Sequence, residues 1–269
     1  MMDRGLVSII MLSHEGAKHV KETVESVKAQ TYQNWEIVFM DDNSKDDTIS
    51  LMMDLMNETR VRQEDGTMEN RIQVFQSVQS RGFGVSINSA LKEARGKWIA
   101  FLNVGDVWEP TKLERQIAFM EENGYAFSYT KFGLMNEQSK DRGIIIGGKA
   151  HITYKDMQKC CWPEYLTVMY DAEKVGRMHV RNLKKHNDYA LWLNVCEKAD
   201  CHLLPEVLAR HRTHWGLMGR FLLTNKFGWR YDCFRIEEDL DPIKASLYTI
   251  RNGFYGLVKW WRYVERVRS

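Results

Sequence analysis

Short apolar runs at Leu6 to Leu12, Trp35 to Met40 and Trp98 to Leu102 each stop abruptly at polar residues, and each is followed by a stretch with helical spacing. The first empties into Ser13-His14-Glu15-Gly16, the second into Asp41-Asp42-Asn43-Ser44, and the third into Asn103, Gly105 and Asp106 ahead of Pro110. Runs of this length, rich in β-branched and aromatic residues and bounded by turn formers, read as buried strands. Strands alternating with helices call for parallel pairing, because a parallel neighbour is reached only through a crossover. In an open sheet of that kind ligands sit outside the carboxyl ends of the strands. Asn, Gly and Asp are also ordinary turn residues, so the third run alone supports a turn as well as a site. Recurrence at the other two strand ends favours the site.

The remaining pattern extends the same α/β class. Val20, Val24 and Val27 recur at helical spacing within Lys18 to Gln30, and Ile49, Leu51, Met52, Leu55 and Met56 do so after Asp46 and Asp47. Arg71 to Phe75 reads as a strand, Gly82 to Ala94 and Lys112 to Asn123 as helices, and Tyr125 to Tyr129 as a strand. From Gly133 to Lys159 the pattern is weak; His186 to Lys198 is again helical, and Leu203 to Ala209 reads as a last strand. The chain lacks internal repeats and low-complexity linkers, which predicts one domain over residues 1–215 and a helical extension over 216–269. Its 269 residues suffice for a substantial core, and a net charge of +2 argues against nucleic-acid binding by bulk electrostatics. Five cysteines show neither a paired spacing nor a CxxC, and no signal-peptide pattern precedes Leu6, which together predict a reduced, cytoplasmic protein; the spacing of Cys196, Cys201 and His202 fits no common zinc module. No apolar run approaches the roughly 18 to 20 residues that span a bilayer.

Val7-Ser8-Ile9-Ile10, Ser26-Val27, Gln30-Thr31-Tyr32, Trp35-Glu36, and Asp41-Asp42-Asn43-Ser44 with Asp47-Thr48 resemble, in that order, the opening of the family 2 glycosyltransferases. Leu102 to Pro110 with Lys112-Leu113-Glu114 falls where that family carries its Asp-x-Asp motif and the helix behind it. Asn187-Asp188-Tyr189 with Leu191-Trp192-Leu193 falls where it carries its catalytic acidic pair, and Arg212-Thr213-His214 where an Arg-x-His often follows the last strand. The resemblance implies a GT-A fold: a mostly parallel central sheet with helices on both faces and a Rossmann-like N-terminal half.

It also implies roles. Asp42 would accept the ring N–H of the nucleotide base, against the alternative that Asp41 and Asp42 cap the following helix. Leu12, Ser13 and Glu15 would flank the nucleotide, and Asn103, Val104, Gly105 and Asp106 would face the diphosphate. The chain departs from the family where Asn103 and Gly105 replace aspartates, Ile87 an arginine and Asn187 the first of the acidic pair. The carboxylate missing at Gly105 normally holds a divalent cation, Mn or Mg, leaving Asp106 and His214 as the metal candidates. Asp188 would be the base that takes the acceptor's proton. The implied activity is inverting transfer of a sugar from a nucleotide-diphospho-sugar to a hydroxyl of a saccharide or lipid-linked acceptor, in assembly of a bacterial surface polysaccharide. The alternative is an impaired member that binds a nucleotide sugar or a partner without transferring.

Residues 251–269 hold Arg251, Lys259, Arg262, Arg266 and Arg268 against one acid, Glu265. Phe254, Leu257, Val258, Trp261 and Val264 fall on one face of a helix. That face either packs on the catalytic domain or lies on an anionic membrane surface, at the inner face of the membrane.

Overall fold

The structure, a computed structural model, describes residues 4–62, 67–80, 82–181, 183, 187–213 and 226–267. In chain order the strands are β1 (Val7–Ser13), β2 (Trp35–Asp41), the hairpin β3 (Val61–Arg62) and β4 (Met68–Glu69), β5 (Ile72–Gln76), β6 (Trp98–Phe101), β7 (Val107–Trp108), β8 (Phe127–Met135), β9 (Asp141–Ile146), β10 (His151–Ile152), β11 (Met169–Asp171), β12 (Cys201–Arg212) and β13 (Val264–Arg266). The helices are α1 (Val20–Lys28), α2 (Thr48–Glu58), α3 (Phe83–Glu93), α4 (Lys112–Asn123), α5 (Tyr154–Met157), α6 (Ala172–Val175), α7 (Asn187–Cys196), α8 (Lys226–Asp232) and α9 (Pro242–Tyr263).

One sheet runs β10-β12-β8-β11-β6-β1-β2-β5. The part β6-β1-β2-β5 is parallel throughout, as the alternation of strands and helices requires. Beyond β6 the sheet is mixed, with the short β11 antiparallel to both β6 and β8 while β12 runs parallel to β8. β1 and β2 are buried along their whole length because helices cover both faces. Val7, Ile9 and Met11 pack toward α1, α2 and α4, while Ile10 and Leu12 pack toward α3 and α7. The described part of the C-terminal extension joins the second of these cores through Cys233, Phe234 and Ala245.

The amino edge of the parallel strands is closed by a buried polar knot. Glu36, 1 % exposed, accepts from Ser8 Oγ (2.5 Å), Arg95 N (2.9 Å) and Arg95 Nε (2.8 Å). Gly96 sits where a Cβ would fall 2.6 Å from Leu6 O and Ser8 N, so only glycine lets the chain pass. The carboxyl edge is left to the loops that carry the polar clusters.

α4 begins with a buried ammonium. Lys112 Nζ donates to Gln116 Oε1 (2.6 Å) and lies 4.4 Å from the centroid of the Trp108 ring, without a counter-charge among these contacts. Burial pushes its pKa from 10.5 down to about 7. The folded chain therefore holds fewer protons than the unfolded one from about pH 7 to 10.5, and its stability rises with pH across that window. Lys112→Met is expected to flatten the rise in Tm between pH 6 and pH 9 measured by calorimetry; an unchanged slope would mean that Lys112 does not titrate there.

Candidate active site

The sheet ladder continues past the ends of its parallel strands. Val104 N donates to Leu12 O (3.3 Å), Asp42 N to Ser13 O (2.9 Å) and Ser77 N to Asp41 O (2.9 Å), so these residues form one row along the carboxyl edge. The loops after β1 and β2 are cross-braced: Glu15 N donates to Ser44 Oγ (2.8 Å), Gly16 N to Thr48 Oγ1 (2.8 Å), Ala17 N to Asp46 Oδ2 (2.9 Å), and Lys45 N to Glu15 Oε1 (2.8 Å). A Cβ on Gly16 would lie 2.5 Å from Ser13 Oγ and 2.8 Å from Val104 Cγ1, so its lack of a side chain lets the loops close. Leu12 has its side chain in the core and gives the row only its backbone, and the Glu15 carboxylate serves as the brace to Lys45.

The two aspartates after β2 divide their tasks. Asp41 is fully buried and accepts from Ser44 N (2.8 Å) and Ser44 Oγ (2.5 Å), which makes it the turn residue. The first amide of α2 is satisfied by Asp46, whose Oδ1 accepts from Thr48 N (3.1 Å). Asp42 is thereby released from both jobs; its Oδ2 accepts from Ser80 Oγ (2.6 Å) in a half-exposed position.

After β6 the chain makes a turn at 103–106 whose backbone is fixed from several sides. Gly105 N donates to Thr23 Oγ1 (3.0 Å), Thr23 Oγ1 donates to Asp106 O (2.9 Å), and Asp106 N donates to Asn103 O (3.1 Å). Arg212, 5 % exposed, donates from Nε to Gly105 O (2.8 Å), from Nη1 to Asn136 O (3.0 Å) and Glu137 O (3.1 Å), and from Nη2 to Glu22 Oε2 (2.6 Å). Its backbone N donates to Asp106 Oδ1 (2.9 Å), and His211 Nδ1 lies 2.9 Å from that same oxygen. Gly105 has φ +105°, and a Cβ there would meet nothing within 4 Å. Glycine is thus required by backbone sign and not by space. Arg212 is the first residue of the Arg-x-His; its histidine, His214, a metal candidate from the sequence, lies outside the described residues.

Asp188 lies in the first turn of α7, half-buried, where the positive end of the helix favours its charge. Asn187 before it is 1 % exposed and clamps the preceding loop, accepting from Leu183 N (3.0 Å) and donating to Leu183 O (2.9 Å). That task suits an amide, which can both donate and accept, and an aspartate could not perform it. Burial pushes up the hydroxyl of Tyr165 and the thiol of Cys161, and the nearby Asp188 carboxylate adds to both shifts. The Tyr165 ring packs edge-on against Phe101 at 5.0 Å, and Phe101 against Trp192 at 4.9 Å. This aromatic cluster joins the end of β6 to the helix that carries Asp188. Ile87 is fully buried in the same core, and Asn88 pairs with Val180, donating to its O (2.8 Å) and accepting from its N (3.0 Å).

Two atoms at the edge fit a polar ligand. Ser13 Oγ and Asn103 Oδ1 are buried and have no hydrogen-bond partner, which is costly unless a bound group satisfies them. A resident divalent cation fits less well. Mg and Mn favour shells of about six oxygens; here Gly105 brings no ligand atom, and Asp106 Oδ1 is already held by Arg212 and His211. Among the described residues no group of three or more His, Cys, Asp or Glu side chains could hold a metal ion. These residues do not form a cage for one.

Known proteins resemble this chain in sequence and in fold. The profile of glycosyl transferase family 2 matches residues 8–179, from β1 to beyond α6. The putative teichuronic acid biosynthesis glycosyltransferase TuaG of Bacillus subtilis is 32 % identical over 223 residues, 82 % of this chain and 83 % of that protein. An Escherichia coli enzyme named UDP-Glc:alpha-D-GlcNAc-diphosphoundecaprenol beta-1,3-glucosyltransferase WfgD is 33 % identical over 194 residues, 72 % of this chain and 71 % of its own. The crystal structure of S. aureus TarS 1-349 in complex with UDP-GlcNAc superposes with a TM-score of 0.66 at 17 % identity, covering 90 % of this chain and 70 % of that one. With its GT-A sheet, its polar strand ends in the expected order and these relatives, the chain belongs to glycosyl transferase family 2 and is a glycosyltransferase.

Proposed function

We propose that this enzyme transfers a sugar from a nucleotide-diphospho-sugar, with inversion, to a hydroxyl of a saccharide or lipid-linked acceptor in the assembly of a bacterial surface polysaccharide. The observation that carries the reading is the row Ser13, Asp42 and Asn103 on one edge, with unpartnered buried oxygens at Ser13 and Asn103, coupled through Phe101 and Trp192 to Asp188. Asp42 accepts the ring N–H of the base, for which the UDP-glucose in the name of the E. coli relative supports uracil. The turn Asn103-Val104-Gly105-Asp106, with Ser13 beside it, receives the diphosphate. Asp188 takes the acceptor's proton as its oxygen attacks the anomeric carbon and the nucleoside diphosphate departs. One base and one displacement suffice for inversion. A teichuronic acid enzyme and a diphosphoundecaprenol glucosyltransferase among the relatives support a surface polysaccharide and a lipid-linked acceptor, reached from the cytoplasmic face of the membrane.

A second reading, an impaired member that only binds, is favoured by Asn103 and Gly105 at positions where the family usually carries aspartates. Two variants separate the readings. Asp188→Asn should lower turnover by about two to four orders of magnitude and leave nucleotide-sugar affinity nearly intact. Asp42→Ala should instead weaken binding of the free nucleotide measured by calorimetry. Full turnover in Asp188→Asn removes it as the base, and a wild type with nothing to lose is the binding module.

The donor set also sets an expectation for metal. Donor binding should change by less than about tenfold between EDTA and millimolar Mn, since any cation would be held mainly by diphosphate oxygens and water. Gly105→Asp would add a ligand in open space but at a backbone angle that disfavours it, so any gain in Mn dependence should come with a lower Tm. Tight Mn-dependent donor binding by the wild type would contradict the expectation.

A further inference from the structure

The C-terminal helix α9 has two unlike faces. Its inner face packs on the domain: Ala245, Thr249 and Asn252 are buried, and Asn252 Nδ2 donates to Tyr189 OH (2.9 Å), the residue next to Asp188. Lys259 Nζ donates to Cys161 O (2.9 Å) and Trp162 O (2.6 Å) in the loop beside Tyr165. The opposite face carries Ile243, Leu247, Ile250, Phe254, Leu257 and Trp261, at alternating steps of four and three, with exposures from 48 % to 82 %. This stripe differs from the face expected from the sequence: it begins a turn and more before residue 251, Val258 is half-buried, and Val264 has left the helix to pair with Ile146 in the sheet.

We propose that this outer face docks the enzyme on an anionic lipid surface. The helix has 22 residues and not one Asp or Glu, while it carries Lys244, Arg251, Lys259 and Arg262. At 3.6 residues per turn Lys244, Arg251 and Arg262 project within about 20° of one another along one flank of the stripe. Arg251 is half-buried and stacks on the Tyr248 ring, 4.0 Å from its centroid, so the exposed charge of this flank comes from Lys244 and Arg262. Trp260 and Trp261 stand at one end, where their amphipathic rings suit the headgroup boundary. A second copy of the chain is the poorer occupant, because the acid at the start of this face, the N-cap Asp241, already lies 3.5 Å from Lys244, and the helix itself offers a partner's cations none. Among the described residues no helix is long and apolar enough to cross a membrane, so the helix would lie in the interface. The proposal rests on the reading above only for its use: α9 is bonded to α7 and to the Cys161 loop, so docking would hold the Asp188 side of the site near a lipid-linked acceptor.

The test is co-sedimentation of the full chain at low salt with vesicles of phosphatidylglycerol and phosphatidylcholine, or of phosphatidylcholine alone. Binding is expected to the anionic vesicles only, to weaken with added salt, and to fall at least about tenfold in Leu247→Glu/Phe254→Glu and in Lys244→Glu/Arg262→Glu. Both double variants should keep the Tm and the nucleotide affinity of the wild type, so loss of docking is distinguishable from loss of the donor site. Failure of the wild type to bind anionic vesicles, or undiminished binding by the variants, would overturn the proposal. So would a wild-type dimer in sedimentation velocity that Leu247→Glu/Phe254→Glu converts to a monomer.

Discussion

Arg212 gives its guanidinium hydrogens to Gly105 O, Asn136 O, Glu137 O, Ser139 Oγ and Glu22 Oε2, and so draws together the turn after β6, the turn between β8 and β9, and α1. A buried cation is tolerable only when its donors are satisfied, and its removal would leave carbonyls and a carboxylate without their partner. Arginine is suited to the task because its rigid fork reaches several acceptors at once, which a flexible ammonium does not. The backbone of the same residue fixes Asp106 Oδ1. Thr23 completes the arrangement from α1, so both the carbonyl and the amide of Gly105 are held.

Given that constraint, the two edges of the parallel strands take opposite characters. At the amino edge Glu36, Ser8 and Arg95 satisfy one another, and Gly96 admits the closest passage of the chain. At the carboxyl edge the polar groups are only partly satisfied: Asp41 and Glu15 are consumed by turns and braces, whereas Ser13 Oγ and Asn103 Oδ1 are left over. The turn has glycine at 105 to suit its backbone angle, and its one carboxylate, Asp106, is engaged by Arg212 N and lies 2.9 Å from His211 Nδ1.

The parallel half of the fold was legible because β1, β2 and β6 are fully buried and its helices amphipathic, so periodicity and polar breaks mark these elements; α4 falls at Lys112–Asn123 as its spacing predicts. Less could be read between Gly133 and Lys159, where β8 runs on to Met135 and β9 is half-exposed and held mainly by pairing with β8 and β13. Such strands owe their existence to distant partners that no local pattern reveals. At the site, the resemblance singles out Asp42 without saying what Asp41 does, and the fold engages Asp41 with Ser44. Asn187 reads as a lost acid in sequence, yet in the fold it pairs with both backbone groups of Leu183. Arg212 stood in a noted motif, but its role depends on residues far away along the chain, Glu22 among them.

Calorimetry on Arg212→Lys with two ligands, the nucleoside and the nucleotide sugar, tests most directly the proposal that Arg212 shapes the diphosphate end of the site while Asp42 holds the base. Lysine keeps the charge but cannot reach the same acceptors. Nucleoside affinity should stay within about twofold of wild type while nucleotide-sugar affinity falls more than about tenfold, a difference of about 1.4 kcal/mol. Equal losses for both ligands, or none for either, would contradict the account.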